Sequence, residues 1–174
     1  MSTQEQDKLK TTASIARDGL KLGSVLCLTY LARILGLGYP FFSLIYFAGL
    51  ILIPYTAYRL TKAYRDQVAT PSTGFSWLQG LSYTLRQHVF GGILALIPQY
   101  FYFRYFVPEI LDQLHEMLSN QPQALGQQLQ ESLASLEATP LWQWLWVDYC
   151  FTLFLGLVWG ALVGLALRQR PFYQ

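Results

Sequence analysis

Four apolar segments alternate with polar stretches along the chain, and each is close to the length of a membrane-spanning helix. A bilayer core of about 30 Å needs about 20 helical residues, or slightly fewer where flanking Lys and Arg side chains reach the interface. The segments are residues 20–37, 41–58, the uncharged part of 75–107, and 141–167. The pattern therefore predicts an all-α integral membrane protein with four transmembrane helices.

The first two segments are predicted to form a helical hairpin. Gly36, Gly38 and Pro40 lie between them, which suits a tight turn between antiparallel helices. The second segment carries no charge, and Pro54 is expected to kink it because proline removes one backbone hydrogen bond. Hydropathy supports the first segment least, because Arg33 lies near its end.

The third span is predicted from the uncharged residues between Arg86 and Arg104, which extend about 26 Å at the helical rise. The apolar and aromatic residues 75–85 come before it and are expected to carry the helix through the interface. Gly91-Gly92 and Pro98 make this span the one most prone to bend.

Residues 108–139 have the pattern of two amphipathic helices. Apolar residues recur at helical spacing on both sides of an interruption at 120–122. The pair is acidic and rich in Gln, so it lacks the basic face of a helix that binds anionic lipid. It could lie on the membrane surface, cover the outer mouth of the bundle or meet a partner. The apolar positions are Ile110, Leu111, Leu114, Met117, Leu118, Leu125, Leu129, Leu133 and Leu136.

The charges are distributed unevenly along the chain. Residues 105–167 contain no Lys or Arg, yet they hold six of the ten acidic residues. The positive-inside bias places such a stretch on the translocated side of the membrane. Basic residues occupy the tail 1–18, the loop 59–74 and the segment 168–174, which are therefore predicted to be cytoplasmic. Both termini then face the cytoplasm, the acidic helical hairpin is extracytoplasmic, and the expected location is the bacterial cytoplasmic (inner) membrane.

Composition agrees with the membrane class. The chain is 53% hydrophobic and only 13% charged, against about 25% charged residues in soluble domains. A net charge of +2 is too small to indicate a nucleic-acid partner. Cys27 and Cys150 lie in apolar runs without CxxC spacing, so no metal site is expected. No A-x-A-like site follows residues 20–37, which we interpret as a retained anchor instead of a cleaved signal peptide.

Several local patterns resemble one known family. The tyrosine-and-basic exit YRLTKAYRD, the Gly-Phe entry GFSWLQGLSYTL, the aromatic exit into an acidic helix YFVPEILDQLHEML, and the glycine-bearing final span recur in this order. From about Ala16 to Arg170 the chain resembles the small bacterial four-span membrane proteins catalogued as domain of unknown function 4199. The resemblance implies a fold and a membrane location, and it brings no activity, cofactor or catalytic residue.

Two ionisable residues near the outer end of the spans form the first candidate site, because charge inside a span is costly. Arg33 could reach the interface or pair with Asp148 in the same leaflet. Asp148 lies inside the membrane if all of 141–167 spans it, and in the outer interface if 149–167 alone does so. We hypothesise that Arg33 and Asp148 form an ion pair between helices.

Arg86 and His88, in the third span, form the second candidate site. A histidine there could titrate near neutral pH and relay protons. The alternative is a histidine that is hydrogen-bonded inside the bundle.

Gly156, Gly160 and Gly164 recur every four residues and therefore form one stripe on the last helix. Small residues at this spacing let another helix approach closely. The stripe could pack against the other spans of the same chain, or it could mediate dimerisation or docking to another membrane protein.

The chain contains no Walker loop, HExxH, GxSxG, EF-hand or CxxC motif, so the sequence predicts no enzyme, cofactor or metal. The expected partners are the lipid bilayer and a membrane or envelope protein, or a second copy of the chain. A small bundle with one elaborated outer element suits an accessory or scaffold subunit. The alternative is a small transporter or lipid-handling protein, which the intramembrane ionisable residues favour. A membrane enzyme that acts on a lipid-linked substrate is a third possibility.

Overall fold

The computed structural model describes residues 3–70, 72–119 and 123–170. Six α-helices make up most of these residues, and the described part contains no strand, only an isolated bridge between Phe75 and Gln169. The all-α prediction is therefore confirmed for the described residues. The helices are α1 (Thr3–Gly36), α2 (Pro40–Val68), α3 (Trp77–Phe101), α4 (Val107–Ser119), α5 (Gln123–Glu137) and α6 (Leu141–Leu167), with a π-helical turn (Tyr102–Phe106) between α3 and α4.

Three helices are long and apolar enough to cross a membrane: α1 over Thr12–Gly36, and α2 and α6 over their full lengths. The same criteria, applied to the described residues, do not select α3. This helix carries Gln87, His88 and Gln99, which are at most 1% exposed. Its hydropathy is therefore lowered partly by buried polar groups and partly by the exposed Gln79 and Arg86.

Helix α3 lies between α1 and α6, and glycines allow the close approach on both sides. A Cβ atom added at Gly23 of α1 would lie 2.9 Å from the Cα of Gly91, and one added at Gly80 would lie 2.7 Å from the Cα of Gly164 in α6. Real Cβ atoms do not approach other atoms so closely. The backbones of these helices thus touch directly, as in membrane helix pairs with small residues at the contact.

The same contacts fix the direction of each helix. Positions 19, 23, 27 and 33 of α1 meet positions 87–90, 91, 94 and 102, so α1 and α3 run parallel. Positions 156, 160 and 164 of α6 meet positions 88, 84 and 80, so α6 is antiparallel to α3. We call the end of the bundle where α1 begins and α6 finishes the termini end, and the opposite end, next to α4 and α5, the loop end.

Helix α2 lies at the edge of the bundle. Its buried residues recur at every fourth position, Gly49, Ile53, Ala57 and Thr61, which gives it one narrow packed face. Most of its other surface is open, and Ile51 is 74% exposed. The helix continues through Pro54 to Val68, well beyond the apolar segment that marks it in the sequence.

A capping box begins α3. The Ser76 hydroxyl accepts from the Gln79 backbone N–H at 3.2 Å, and the Gln79 side chain accepts from the Ser76 backbone N–H at 2.8 Å. Gly74, in the preceding turn, has a positive φ of 63°, which glycine adopts at little cost. At its other end α3 passes through the π-helical turn into α4, so the acidic segment continues the central helix directly.

Helices α4 and α5 cover the two amphipathic stretches and contact each other at the loop end. Their contact includes His115 Nδ1 and Glu137 Oε1, which lie 3.5 Å apart. Leu133 of α5 is buried. The interruption predicted at 120–122 and the side chain of Leu125 lie outside the described part of the chain.

Candidate functional site

Six polar side chains gather between α1, α3 and α6 near the loop end. Helices α1 and α6 contribute two side chains each, while α3 and the π-helical turn after it contribute one each, and the close helix packing described above brings them together. We call them the loop-end polar cluster: Tyr30, Arg33, Gln99, Tyr102, Asp148 and Thr152.

Asp148 is held by α3 and by its own helix. The Gln99 amide nitrogen donates to Asp148 Oδ1 at 2.9 Å, and the Thr152 hydroxyl donates to the Asp148 backbone carbonyl at 3.1 Å. The Tyr30 and Thr152 hydroxyl oxygens are 3.4 Å apart. Gln99 is fully buried, and its Oε1 atom has no hydrogen-bond partner. The cluster therefore contains one unused buried acceptor beside a carboxylate.

Arg33 binds an aromatic side chain. Its guanidinium carbon lies 4.6 Å from the centroid of the Tyr102 ring, and Nη2 lies 3.4 Å from the Tyr102 hydroxyl. Arg33 and Asp148, which both lie in the described part of the chain, do not form an ion pair with each other. In place of the direct ion pair that we hypothesised from the sequence, each of the two residues binds a different side chain from α3 or the turn that follows it.

A second polar cluster lies at the termini end. Asp18 is 7% exposed. It accepts a hydrogen bond of 2.7 Å from the Tyr83 hydroxyl and a charge-assisted one of 2.9 Å from Lys21. The Tyr64 ring stacks on Tyr83 with 3.9 Å between centroids. In its hydrogen bond with Asp18, Tyr83 is the donor and the Asp18 carboxylate is the acceptor.

His88 is buried against α6. Its Nδ1 lies 2.9 Å from the backbone carbonyl of Thr84. Because a carbonyl only accepts, Nδ1 carries the proton, which leaves Nε2 as an acceptor, and this buried atom has no partner. Gln87 is also fully buried, and neither of its amide atoms has a hydrogen-bond partner. Arg86, by contrast, is exposed and lines a cavity of about 260 Å³ at the termini end.

The glycine stripe of α6 faces α3 along its whole length. A Cβ at Gly156 would lie 2.6 Å from His88 Cβ, and one at Gly160 would lie 3.0 Å from the Leu81 carbonyl oxygen. A Cβ at Gly164 would collide with the Trp77 carbonyl oxygen. The three glycines therefore lie inside the contact between α3 and α6.

Sequence reasoning did not single out the uncharged partners, namely Tyr30, Gln87, Gln99, Tyr102 and Thr152. Polar residues on a buried helix face carry no charge or spacing that separates them from interfacial ones. The signal that was available is the presence of two glutamines within an otherwise apolar span, which is costly unless they are hydrogen-bonded.

The described residues contain no cluster of three or more potential metal ligands among His, Cys, Asp and Glu. Cys27 and Cys150 are free thiols. The site thus consists of neutral hydrogen-bonding groups with one carboxylate and one guanidinium at the loop end.

A family model described as "Protein of unknown function (DUF4199)" matches residues 17–169. No curated protein and no solved structure matches the chain significantly. The match covers nearly all of the helical bundle and both polar clusters. The chain belongs to the DUF4199 family.

Proposed function

We propose that the protein is an accessory or scaffold subunit of a membrane or envelope complex in the bacterial inner membrane. In this proposal α1, α2, α3 and α6 all span the bilayer, both termini are cytoplasmic, and α4 and α5 lie on the outer surface. The observation that carries the proposal is the direct continuation of the central helix α3 into the acidic α4. A partner bound to α4 and α5 would be held in a fixed position relative to the bundle.

Packing supports α3 as the fourth span. It touches α1 and α6, both apolar enough to span, at positions distributed along its length. A bilayer that surrounds those two helices must therefore surround α3 as well. Its polar groups can reside there because they are buried within the protein.

The charge distribution supports the orientation. Arg17, Arg59, Lys62 and Arg168 belong to the termini end of the bundle, whereas α4 and α5 contain no Lys or Arg. Basic residues next to spans favour the cytoplasmic side. Cysteine labelling tests this topology in a variant without native cysteines: in intact cells a membrane-impermeant maleimide should label Ser135→Cys, and it should label Ser72→Cys only after permeabilisation. The reverse pattern would contradict the orientation.

The polar side chains inside the bundle support a scaffold, because most of them join one helix to another. The hydroxyls of Thr61 and Thr84 are 2.9 Å apart and connect α2 to α3. Tyr83 and Asp18 connect α3 to α1, and the Gln99–Asp148 contact connects α3 to α6. Such contacts stabilise a fixed arrangement of helices.

Photo-crosslinking in intact cells tests for the partner. Leu129 of α5 and Val158 of α6 are 45% and 38% exposed, so a photo-reactive residue at either position can reach a neighbouring protein. Leu133 and Val163, both 6% exposed on the same helices, are the matched controls. We expect one defined membrane or envelope protein from the exposed positions and not from the controls. Capture of lipid alone, or of the protein itself alone, would contradict an accessory role.

One observation favours a second function, that of a small transporter or lipid-handling protein. Gln87, His88 and Gln99 keep buried polar atoms without partners on the central helix. Buried unpaired atoms of this kind can receive a polar substrate or water. The lipid-only outcome of the crosslinking would favour this function and direct attention to these three residues.

A further inference from the structure

The loop end carries a cleft that is separate from both polar clusters. Four segments form it: the π-helical turn, α4, the end of α5 and the start of α6, and its volume is about 260 Å³. Phe103 and Trp144 stack in its wall with 5.5 Å between ring centroids. π-Helical turns occur frequently at functional sites, because they change the direction of side chains within a helix.

A basic and an acidic side chain both line this cleft, and they do not form an ion pair with each other. Arg104 and Asp112 have no hydrogen bond or ion pair within the described residues. They are eight residues apart on one continuous helical segment, which corresponds to about 12 Å of rise. Because both residues line the same cleft, a ligand inside it can contact both groups. Glu137 adds a second carboxylate, which His115 approaches to 3.5 Å.

Apart from Thr139, the rest of the lining is apolar. Val107, Leu111, Leu136 and Leu141 share the cleft with the two aromatic rings. A guanidinium recognises phosphate through a planar fork of N–H donors, and an ammonium group suits carboxylates and aromatic faces. A ligand that matches the guanidinium, the carboxylates and the apolar lining carries an anionic group, an ammonium group and an apolar portion.

We propose that this cleft binds the phosphoethanolamine group of a membrane phospholipid, with the phosphate at Arg104 and the ammonium at Asp112 and Glu137. The amphipathic lining supports a lipid over a wholly polar zwitterion. The proposal does not depend on the accessory role, since the cleft could hold a lipid whether or not a partner binds α4 and α5.

The experiment measures binding to the full-length protein purified in dodecyl maltoside. Dihexanoyl phosphatidylethanolamine is titrated by calorimetry, and dihexanoyl phosphatidylglycerol, which lacks the ammonium, is the comparison lipid. We expect the ethanolamine lipid to bind about tenfold more tightly, because one charge-assisted hydrogen bond commonly contributes that much. Equal affinity for the two lipids, or no binding of either, would overturn the proposal.

Variants then test whether Arg104 and Asp112 each bind a charged group of the lipid. Arg104→Gln and Asp112→Asn should each weaken binding of the ethanolamine lipid about fivefold or more, since each removes one charged contact. Arg104→Lys should restore part of the affinity. Arg168→Gln and Glu131→Gln change exposed charges outside the cleft and should leave binding unchanged. Helix content from circular dichroism shows whether each variant is folded.

Two further outcomes are decisive. Suppose that Asp112→Asn leaves the affinity unchanged while Arg104→Gln weakens the binding of both lipids equally. The cleft would then be a simple anion site and the proposal would be wrong. Free O-phosphoethanolamine distinguishes the source of the ligand. Competition by the free compound at similar concentration would show that the headgroup alone is bound and would overturn the lipid assignment, whereas its failure to compete supports a lipid.

Discussion

The contact between α3 and α6 should fail when a single methyl group is added at Gly164. A Cβ at this position would meet the carbonyl oxygen and the carbonyl carbon of Trp77, the latter at 3.3 Å, and would lie 3.1 Å from the Leu81 backbone nitrogen. All three atoms belong to the backbone of α3. No side-chain rotation can relieve the overlap, so the two helices must move apart.

The size of the effect follows from two opposed terms. Overpacking a close contact costs about 1–3 kcal/mol, and a clash with backbone belongs at the upper end of that range. Replacing glycine by alanine inside a helix stabilises the helix by up to about 1 kcal/mol, because alanine has the higher helix propensity. We therefore expect Gly164→Ala to lower the free energy of unfolding by about 2 kcal/mol.

Gly38 provides a matched control. A Cβ at this position would have no atom within 4 Å, and the residue does not have a positive φ. Gly38→Ala should therefore stay within about 0.5 kcal/mol of the unchanged protein. Both variants can be compared by reversible unfolding in mixed micelles, with the association state measured on the same samples.

Unfolding of Gly164→Ala at the same free energy as the Gly38→Ala control would contradict a backbone contact between α3 and α6 at this position. Loss of a dimer with unchanged stability of the monomer would contradict it as well. That second result would mean that the glycine stripe serves an interface between chains and that α3 does not occupy it in the membrane.

Substitutions at two other positions test the polar clusters. Tyr83→Phe removes the hydrogen bond to the buried Asp18 and should cost about 2 kcal/mol in the same unfolding assay. Asp148→Leu leaves the buried Gln99 amide without its partner and should cost about 1–3 kcal/mol, whereas Asp148→Asn keeps an acceptor and should cost less. Equal stability of the two Asp148 variants would show that the Gln99 contact contributes nothing.

Hydropathy and helical periodicity predicted the class of the fold because they depend on local composition. The apolar run 141–167 coincides with α6, and the capping pattern at Ser76 and Gln79 accounts for the start of α3. Hydropathy was less informative about where helices end. Helix α2 extends to Val68, ten residues beyond the apolar segment 41–58, because a helix can continue into water while its hydropathy falls.

The candidate sites were predictable only in part. Arg33, Asp148 and His88 could be named from the sequence, since charge or an imidazole inside an apolar run is unusual. Their partners could not be named. Tyr102 reaches Arg33, and Gln99 reaches Asp148, only because α1 and α6 pack on different sides of α3.

The sequence by itself determined that this is a helical protein with membrane-spanning character and an acidic segment between its last two long apolar regions. Those properties follow from the residue types in a single segment and from the spacing of its apolar residues. The tertiary structure decided that α3 is central, which helix each glycine touches, and that Arg104 and Asp112 share a cleft with Glu137. The physical reason is that such contacts depend on the relative rotation and translation of helices distant in the chain, which the periodicity of one helix does not specify.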